Sequence, residues 1–300
     1  MIINGILNIN KPKDISSFDV IRKIKKITGL SKVGHAGTLD PIATGVLLVC
    51  IGEATKVVQY LMDADKEYMA LAVLGKTTDT QDYTGKVLTS GKVETVSDEN
   101  IENILNEYRG EIKQIPPMYS ALHYKGERLY NLARKDIEVA REARNIKIKN
   151  LTLIERDLVK IKFLVECSKG TYIRTLCNDI GTRIGCGAYL EELIRTRSGN
   201  YKLEDSIELS EIKKAEDVAK FIVPINEALC HFENITVKEG KEVFVKHGTP
   251  INQSYVEENI SALGNNTFIK IFSSNKELLA IGEKNIYNQD ILIRRGFNML

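Results

Sequence analysis

The 300-residue sequence predicts an α+β chain organised around a central mixed, mostly antiparallel sheet. Three observations carry that reading. Helical and alternating patterns interleave irregularly, without the regular strand–helix alternation of a parallel sheet. The runs "NIKIKNLTLIERD" and "LVKIKFLVECS" alternate apolar and polar residues across a short connection, the pattern of an antiparallel pair. Beyond Pro224 the texture changes, and short strands such as "TFIKIFS" and "ELLAIGEK" dominate, as in a small β-rich module.

The elements follow in order. "NGILNINKP" alternates and stops at a proline, so it reads as a strand entering a loop. "SFDVIRKIKKITG" has apolar residues at helical spacing, Ser16 or Ser17 as cap and Gly29 as stop. "GVLLVCIG" is a short buried strand, "ATKVVQYLMDA" a helix, and "KEYMALAVLG" a strand rich in β-branched and aromatic residues. "SDENIENILNEYRG" reads as a helix capped by Ser97, with acids in its first turn and Gly110 ending it. "TYIRTLCNDIGTRIG" and "AYLEELIRTRSG" both read as helices, as does "VKEGKEVFVKHG" further on. "EENISALGNNT" reads as a loop.

Composition narrows the function. The longest apolar run, Val46–Ile51, is far too short to span a bilayer, and the start lacks the pattern of a signal peptide. Five cysteines without CxxC spacing read as reduced thiols of a cytoplasmic protein, neither a disulfide framework nor a metal site. Net charge is +2, but its distribution is uneven. Residues 1–32 hold seven Lys/Arg against two acids, 121–149 eight against four, and 169–202 six against three. Three basic blocks suit a polyanion-binding face; singly, each reads as a solvated helix face.

The chemistry centres on "GHAGTLDPIATG", where one carboxylate, Asp40, sits among glycines, threonines and a proline. Asp-Pro is ordinary turn chemistry, so the stretch is either a turn or the holder of a reacting carboxylate. A nucleophilic aspartate must be ionised and aimed, and a guanidinium does both. Arg174 in "CSKGTYIRTLCNDIG" is a candidate, although alone it reads as a surface ion pair. Tyr68 opens a strand and suits stacking on a planar ligand, and His35 lies five residues before Asp40. Walker, HExxH and nucleophile-elbow motifs are missing.

These residues resemble a known family. "GHAGTLDPIATGVLLVCIGEATK" is similar to the catalytic motif of the TruB family of tRNA pseudouridine synthases. "GILNINKPKDISSFDVI", "KEYMALAVLGKTTDTQDYTG", "IPPMYSALHYKGERLYNLAR" and "CSKGTYIRTLCNDIG" resemble that family's other blocks, in its order. The similarity covers about residues 4–200; "VKHGTPI" and "LLAIGE" resemble its C-terminal PUA-type module.

The resemblance implies a pseudouridine synthase fold with an inserted RNA-binding thumb at about 121–149. It implies a catalytic domain over 1–228 and a PUA-like module over 229–300. The implied reaction is conversion of uridine 55 in the tRNA T-loop to pseudouridine, without cofactor or metal. Asp40 matches the nucleophile, Tyr68 the tyrosine that stacks on the target base, and Arg174 the arginine paired with the nucleophile. His35 matches a histidine holding the everted loop, Leu193 a pocket wall, and Lys11 with Pro12 a supporting pair; Tyr172 is a further substrate contact. Lys125, Arg128, Arg134 and Lys135 are the expected thumb contacts to RNA.

A stacked uridine has to be flipped out to react, which calls for an aromatic platform, a carboxylate and basic surface. On this reading the glycines of the turn let backbone approach RNA, and Pro41 stiffens its exit. The expected partner is tRNA, gripped at the T-arm and, by the C-terminal module, near the acceptor region. No membrane and no obligate protein partner are expected. Two other readings remain: an RNA-guided synthase subunit, and an RNA-binding or RNA-folding protein without catalysis.

Overall fold

The computed structural model describes residues 3–297 apart from 94–96, 266, 286 and 288. Strand β1 (Gly5–Lys11) is buried on both faces. Helix α1 (Ser17–Thr28) follows, where Ser16 and Asp19 form a reciprocal capping box and Gly29 closes the last turn in the left-handed region. Strand β2 (Val33–Ala36) leads through the Asp40 turn into β3 (Thr44–Ile51). A 3₁₀ turn, Gly52–Val57, runs into α2 (Val58–Asp63), so the predicted helix there is tighter at its start. Strand β4 (Lys66–Leu74) then alternates buried and half-buried residues.

A small hairpin, β5 (Lys76–Thr78) with β6 (Val87–Ser90), precedes α3 (Asp98–Glu107), capped by Ser97 as predicted. That helix ends at Tyr108; Gly110 instead opens strand β7 (Gly110–Gln114) at a φ of 92°. An inserted segment carries β8 (His123–Tyr124), β9 (Glu127–Arg128) and α4 (Leu129–Ala133) around its own cluster of Met118, Leu129, Leu132 and Ala133. The long antiparallel pair β10 (Arg144–Arg156) and β11 (Lys160–Cys167) is as predicted. Residues 144–149 thus lie in the central sheet, and the insertion ends before Arg144.

Helix α5 (Ile173–Ile184) is followed by β12 (Ala188–Ser198), which corrects the helix predicted for "AYLEELIRTRSG". The reason is a register shift between Leu190 and Glu192. It inserts one residue, so the buried positions Leu190 and Leu193 stand three apart and imitate helical spacing. Strands β13 (Tyr201–Lys202) and β14 (Ile207–Glu208) and helices α6 (Ala215–Phe221) and α7 (Ile225–Ala228) complete this part. The sheet order is β14-β1-β3-β12-β4-β11-β10-β7, with β2 on β3 and β13 on β12. Its β1–β14 and β3–β12 pairs are parallel and the others antiparallel, as expected.

A second sheet pairs β15 (Glu233–Thr236), β16 (Phe268–Phe272), β17 (Leu278–Lys284) and β18 (Ile291–Gly296) in that order. The helix predicted over "VKEGKEVFVKHG" shrinks to α8 (Glu242–Lys246). The loop predicted at 257–267 holds one 3₁₀ turn, Ile260–Ala262, and its Asn266 lies outside the described residues.

Two apolar cores cover the two faces of the large sheet. Helices α1, α3 and α5 pack Val20, Ile24, Leu105 and Leu176 on one face, against Leu7, Leu47 and Phe163. On the other face Ile6, Val46, Leu48 and Cys50 pack with Tyr60 of α2 and with Leu278, Ile281 and Phe297 of the small sheet. The small sheet and the large one therefore share a core. A cavity of about 440 Å³ at this junction is lined by Tyr60, Ser198, Tyr201, His231 and Phe268, away from Asp40. No helix among the described residues is long and apolar enough to cross a membrane.

Candidate active site

The turn between β2 and β3 holds Asp40 from three sides. Ser17, at the start of α1, clamps Leu39: its hydroxyl donates to the Leu39 carbonyl at 3.0 Å and accepts the Leu39 amide at 2.8 Å. The Pro41 carbonyl accepts from the Asp14 amide at 2.9 Å and from Lys11 Nζ at 3.3 Å. From β12, Arg195 Nε donates to the Val46 carbonyl at 2.6 Å and Nη2 to the Gly37 carbonyl at 3.1 Å. These bonds pin the residues flanking Asp40, while its carboxylate remains about a third exposed.

One glycine of the turn serves the packing of the sheet. At Gly45, φ is 99° and a Cβ would lie 2.3 Å from the Arg195 carbonyl. The missing side chain lets β3 pair closely with β12.

Arg174, near the start of α5, is buried, and its Nε lies 2.8 Å from Asp40 Oδ2. The Nε–H is not directed at the oxygen, so the contact is an ion pair rather than an in-line hydrogen bond. Nη1 donates to the Thr80 carbonyl and Nη2 to the Tyr119 carbonyl, both at 2.9 Å. A second carboxylate, buried Asp82, stands 3.6 Å from Nη1. Its other oxygen accepts the Thr80 hydroxyl at 2.7 Å and the Thr84 amide at 3.0 Å. These anchored partners set the guanidinium, and the guanidinium sets Asp40.

Tyr68 on β4 faces Arg195 across the β4–β12 ladder, and Leu193 faces Ala70, so Tyr68, Ala70, Leu193 and Arg195 share one face. Tyr68 is 9% exposed; burial pushes its phenol up, and Arg195 beside it pulls part of that back. Tyr172 caps α5, where Gln114 holds both its backbone groups: Oε1 accepts the amide at 2.8 Å and Nε2 donates to the carbonyl at 3.0 Å. Asp40 is within electrostatic reach of Lys11, Tyr68 and Tyr172.

Positive charge surrounds the turn. Lys11 is fully buried and brought down to about 8 by that burial, with Asp40 opposing the shift. Lys66, donating to the Met62 and Ala64 carbonyls, is also lowered to about 8, by burial and then by Arg195. His35 on β2 is lowered by burial and by Arg195, and its buried Nδ1 has no hydrogen-bond partner among the described residues.

The structure therefore sets Arg174, from the first turn of α5, against Asp40 and brings Lys11, Tyr68 and Tyr172 within electrostatic reach of it; Leu193 shares the sheet face of Tyr68, and His35 lies on the strand that enters the turn. Lys125, Arg128, Arg134 and Lys135 lie apart, on the inserted hairpin and helix. Lys125 and Arg134 sit over the rings of Tyr124 and Tyr130, 5.5 Å from each centroid, and Lys135 pairs with Glu127 at 2.6 Å. Sequence reasoning missed Asp82, Gln114, Lys66 and Arg195. Asp82 stands in "TTDTQDYTG", where threonines crowd around two aspartates and signal a self-bonded turn. Arg195 was hidden by reading its strand as a helix.

Two family models match the chain. One, described as "TruB family pseudouridylate synthase (N terminal domain)", covers residues 25–173. The other, "tRNA pseudouridylate synthase B C-terminal domain", covers residues 174–230 and stops before β15. The chain is 46% identical over 282 residues to a tRNA pseudouridine synthase B of Clostridium tetani, covering 94% of this chain and 96% of that one. It is 40% identical over 300 residues to that of Francisella tularensis subsp. novicida, covering 97% of each.

Among solved structures, that of a Cbf5-Nop10-Gar1 complex is similar at a TM-score of 0.74 and 29% identity, over 98% of this chain and 85% of that one. An H/ACA RNP bound to a substrate RNA containing 2'-deoxyuridine matches at a TM-score of 0.73 and 27% identity, over 98% of this chain and 85% of that one. With both models end to end across the Asp40 turn and the Arg174 helix, and relatives alike over nearly their whole length, the chain belongs to the TruB family of pseudouridylate synthases.

Proposed function

We propose that the protein isomerises uridine 55 in the T-loop of tRNA to pseudouridine, with Asp40 as nucleophile and Arg174 as the group that keeps it ionised and aimed. The Asp40–Arg174 pair carries this reading: a part-exposed carboxylate held 2.8 Å from a buried, multiply anchored guanidinium. The target base stacks on Tyr68, against Leu193 as an apolar wall, while His35 and Tyr172 contact the everted loop. Lys11 and Pro12 support the turn from behind. The reaction breaks C1′–N1, turns the ring, joins C5 to C1′ and transfers a proton from C5 to N1. It needs no oxidant and no energy source, so its chemistry calls for no cofactor.

The inserted segment, about residues 121–143, is the thumb that grips the T-arm through Lys125, Arg128, Arg134 and Lys135. The C-terminal module, from about residue 229, is PUA-like and contacts tRNA near the acceptor region. Four of the five free cysteines are buried, which suits work in the reducing cytoplasm. The stand-alone enzyme is favoured over a guide-dependent subunit by identity. The curated relatives named tRNA pseudouridine synthase B reach 46%, the Cbf5 assemblies 29%.

The test is incubation of the purified protein, alone, with unmodified tRNA, followed by carbodiimide mapping. One new pseudouridine in the T-loop is expected. Modification that appears only with added guide-complex proteins, or RNA binding without modification, would overturn the reading.

A further inference from the structure

Arg195 is 1% exposed, yet it carries a full charge. Arg174 and Arg197 each form ion pairs, and among the described residues none includes Arg195. Its partners are the Val46 and Gly37 carbonyls. Burying a cation without a counter-charge costs several kcal/mol, and two carbonyls do not neutralise it. The neighbourhood sharpens this, since Lys66, Lys11 and His35 all feel the positive field of Arg195. A site that maintains such a field is built for negative charge that arrives during the reaction.

Position identifies that charge. Arg195 shares one sheet face with Tyr68, Ala70 and Leu193 and lies against the Tyr68 phenol. We propose that Arg195, with Lys66 behind it, stabilises the negative charge that the uracil ring bears while it is detached from the sugar. This rests on the function proposed above.

The requirement does not depend on which atom Asp40 attacks. Displacement at C1′ leaves the electron pair of the C1′–N1 bond on the ring. Addition of the Asp40 oxygen to the ring pushes an electron pair into it as well. On the first route C5 then attacks C1′ and expels the Asp40 carboxylate. On the second the C1′–N1 bond breaks with its pair left on the ring, C5 bonds to C1′, and the Asp40 oxygen leaves the ring as C5 loses its proton. On both routes C5 ends without its proton and N1 with one. Arg195 acts at the stage between, when the ring holds the excess charge.

The experiment compares T-arm stem-loops carrying uridine or 5-fluorouridine at the target position. Fluorine lets the ring hold negative charge unaided. Consumption of the target nucleoside is followed in single turnover, after digestion, beside RNA affinity on the same preparations. Arg195→Gln keeps a donor for the carbonyls and removes the charge. It should slow uridine consumption about 100-fold but 5-fluorouridine consumption less than about tenfold, with affinity within about threefold of the parent.

Arg195→Lys keeps the charge and should show equal, small deficits on both substrates. If Arg195→Gln does not fold, Lys66→Met carries the comparison, with a smaller deficit that again shrinks on the fluorinated substrate. Equal deficits on both substrates in the charge-removing variants would make Arg195 a structural strut and overturn the proposal. A parent enzyme that consumes neither substrate would instead overturn the proposed function.

Discussion

One side chain, Arg174, ties the Asp40 carboxylate to the inserted segment: Nε lies 2.8 Å from Asp40 Oδ2 and Nη2 donates to the Tyr119 carbonyl at 2.9 Å. Tyr119 packs against the small core of that insertion. The proposed nucleophile and the base of the proposed thumb therefore share one guanidinium.

Replacing Asp40 with asparagine keeps shape and removes the anion. Tritium release from carbon-5-labelled uridine in a T-arm substrate should fall by roughly 10⁴-fold or more, while RNA binding survives. An Asp40→Asn protein that binds and turns over near the parent rate would make the carboxylate structural.

Arg174→Lys keeps the charge but loses the planar fork. The Thr80 and Tyr119 carbonyls and Asp82 then lack matched donors, at a cost of about 1–3 kcal/mol in stability for a buried group left unsatisfied. Urea denaturation should read that loss, and single-turnover rate should fall with it. Unchanged stability would show that the anchoring hydrogen bonds are dispensable.

Thumb binding should depend on salt in steps. Removing one phosphate-binding cation lowers the slope of log affinity against log salt by roughly 0.7 to 0.9. Lys125→Ala, Arg128→Ala and Arg134→Ala together should flatten that slope; Lys135→Ala should add less, because Lys135 is engaged with Glu127 at 2.6 Å. An unchanged slope in the triple variant argues against the thumb assignment.

Stability should rise between pH 8 and about 10. In the folded chain burial brings Lys11 and Lys66 to about 8, whereas the unfolded lysines hold their protons to about 10.4. In that window the unfolded state binds more protons, so the unfolding free energy increases with pH. Each lysine contributes on the order of 2 kcal/mol across the window. Denaturant titrations at pH 7.5, 8.5 and 9.5 test the sign, and Lys66→Met should remove part of the slope. A flat or falling profile would contradict the burial of both charges.

What the sequence disclosed depended on whether a local signal matched its tertiary setting. The Ser16 cap, the Gly29 stop and the alternation of β10 and β11 are local, and each appears where predicted. The short strands β2 and β7 carry no periodicity of their own; they exist because β3 and β10 supply partners. Strand β12 was misread because its bulge mimics a helix. At the site, Asp40 and Arg174 were legible as a pair through resemblance. Asp82, Gln114 and Arg195 act through backbone groups and buried neighbours, which no spacing in the chain reveals.

The core shared between the two sheets sets how the molecule can come apart. Removing everything after residue 228 would strip Phe232, Leu278, Ile281 and Phe297 from the back of β1 and β3 and leave Ile6, Val46 and Leu48 facing water. The module thus behaves as half of a hinge-free clamshell rather than a bead on a string. Heating should melt both sheets in one calorimetric peak, with equal van't Hoff and calorimetric enthalpies. The insertion, by contrast, packs around its private core of Met118, Leu129, Leu132 and Ala133 and, among the described residues, supplies none to the two cores of the large sheet.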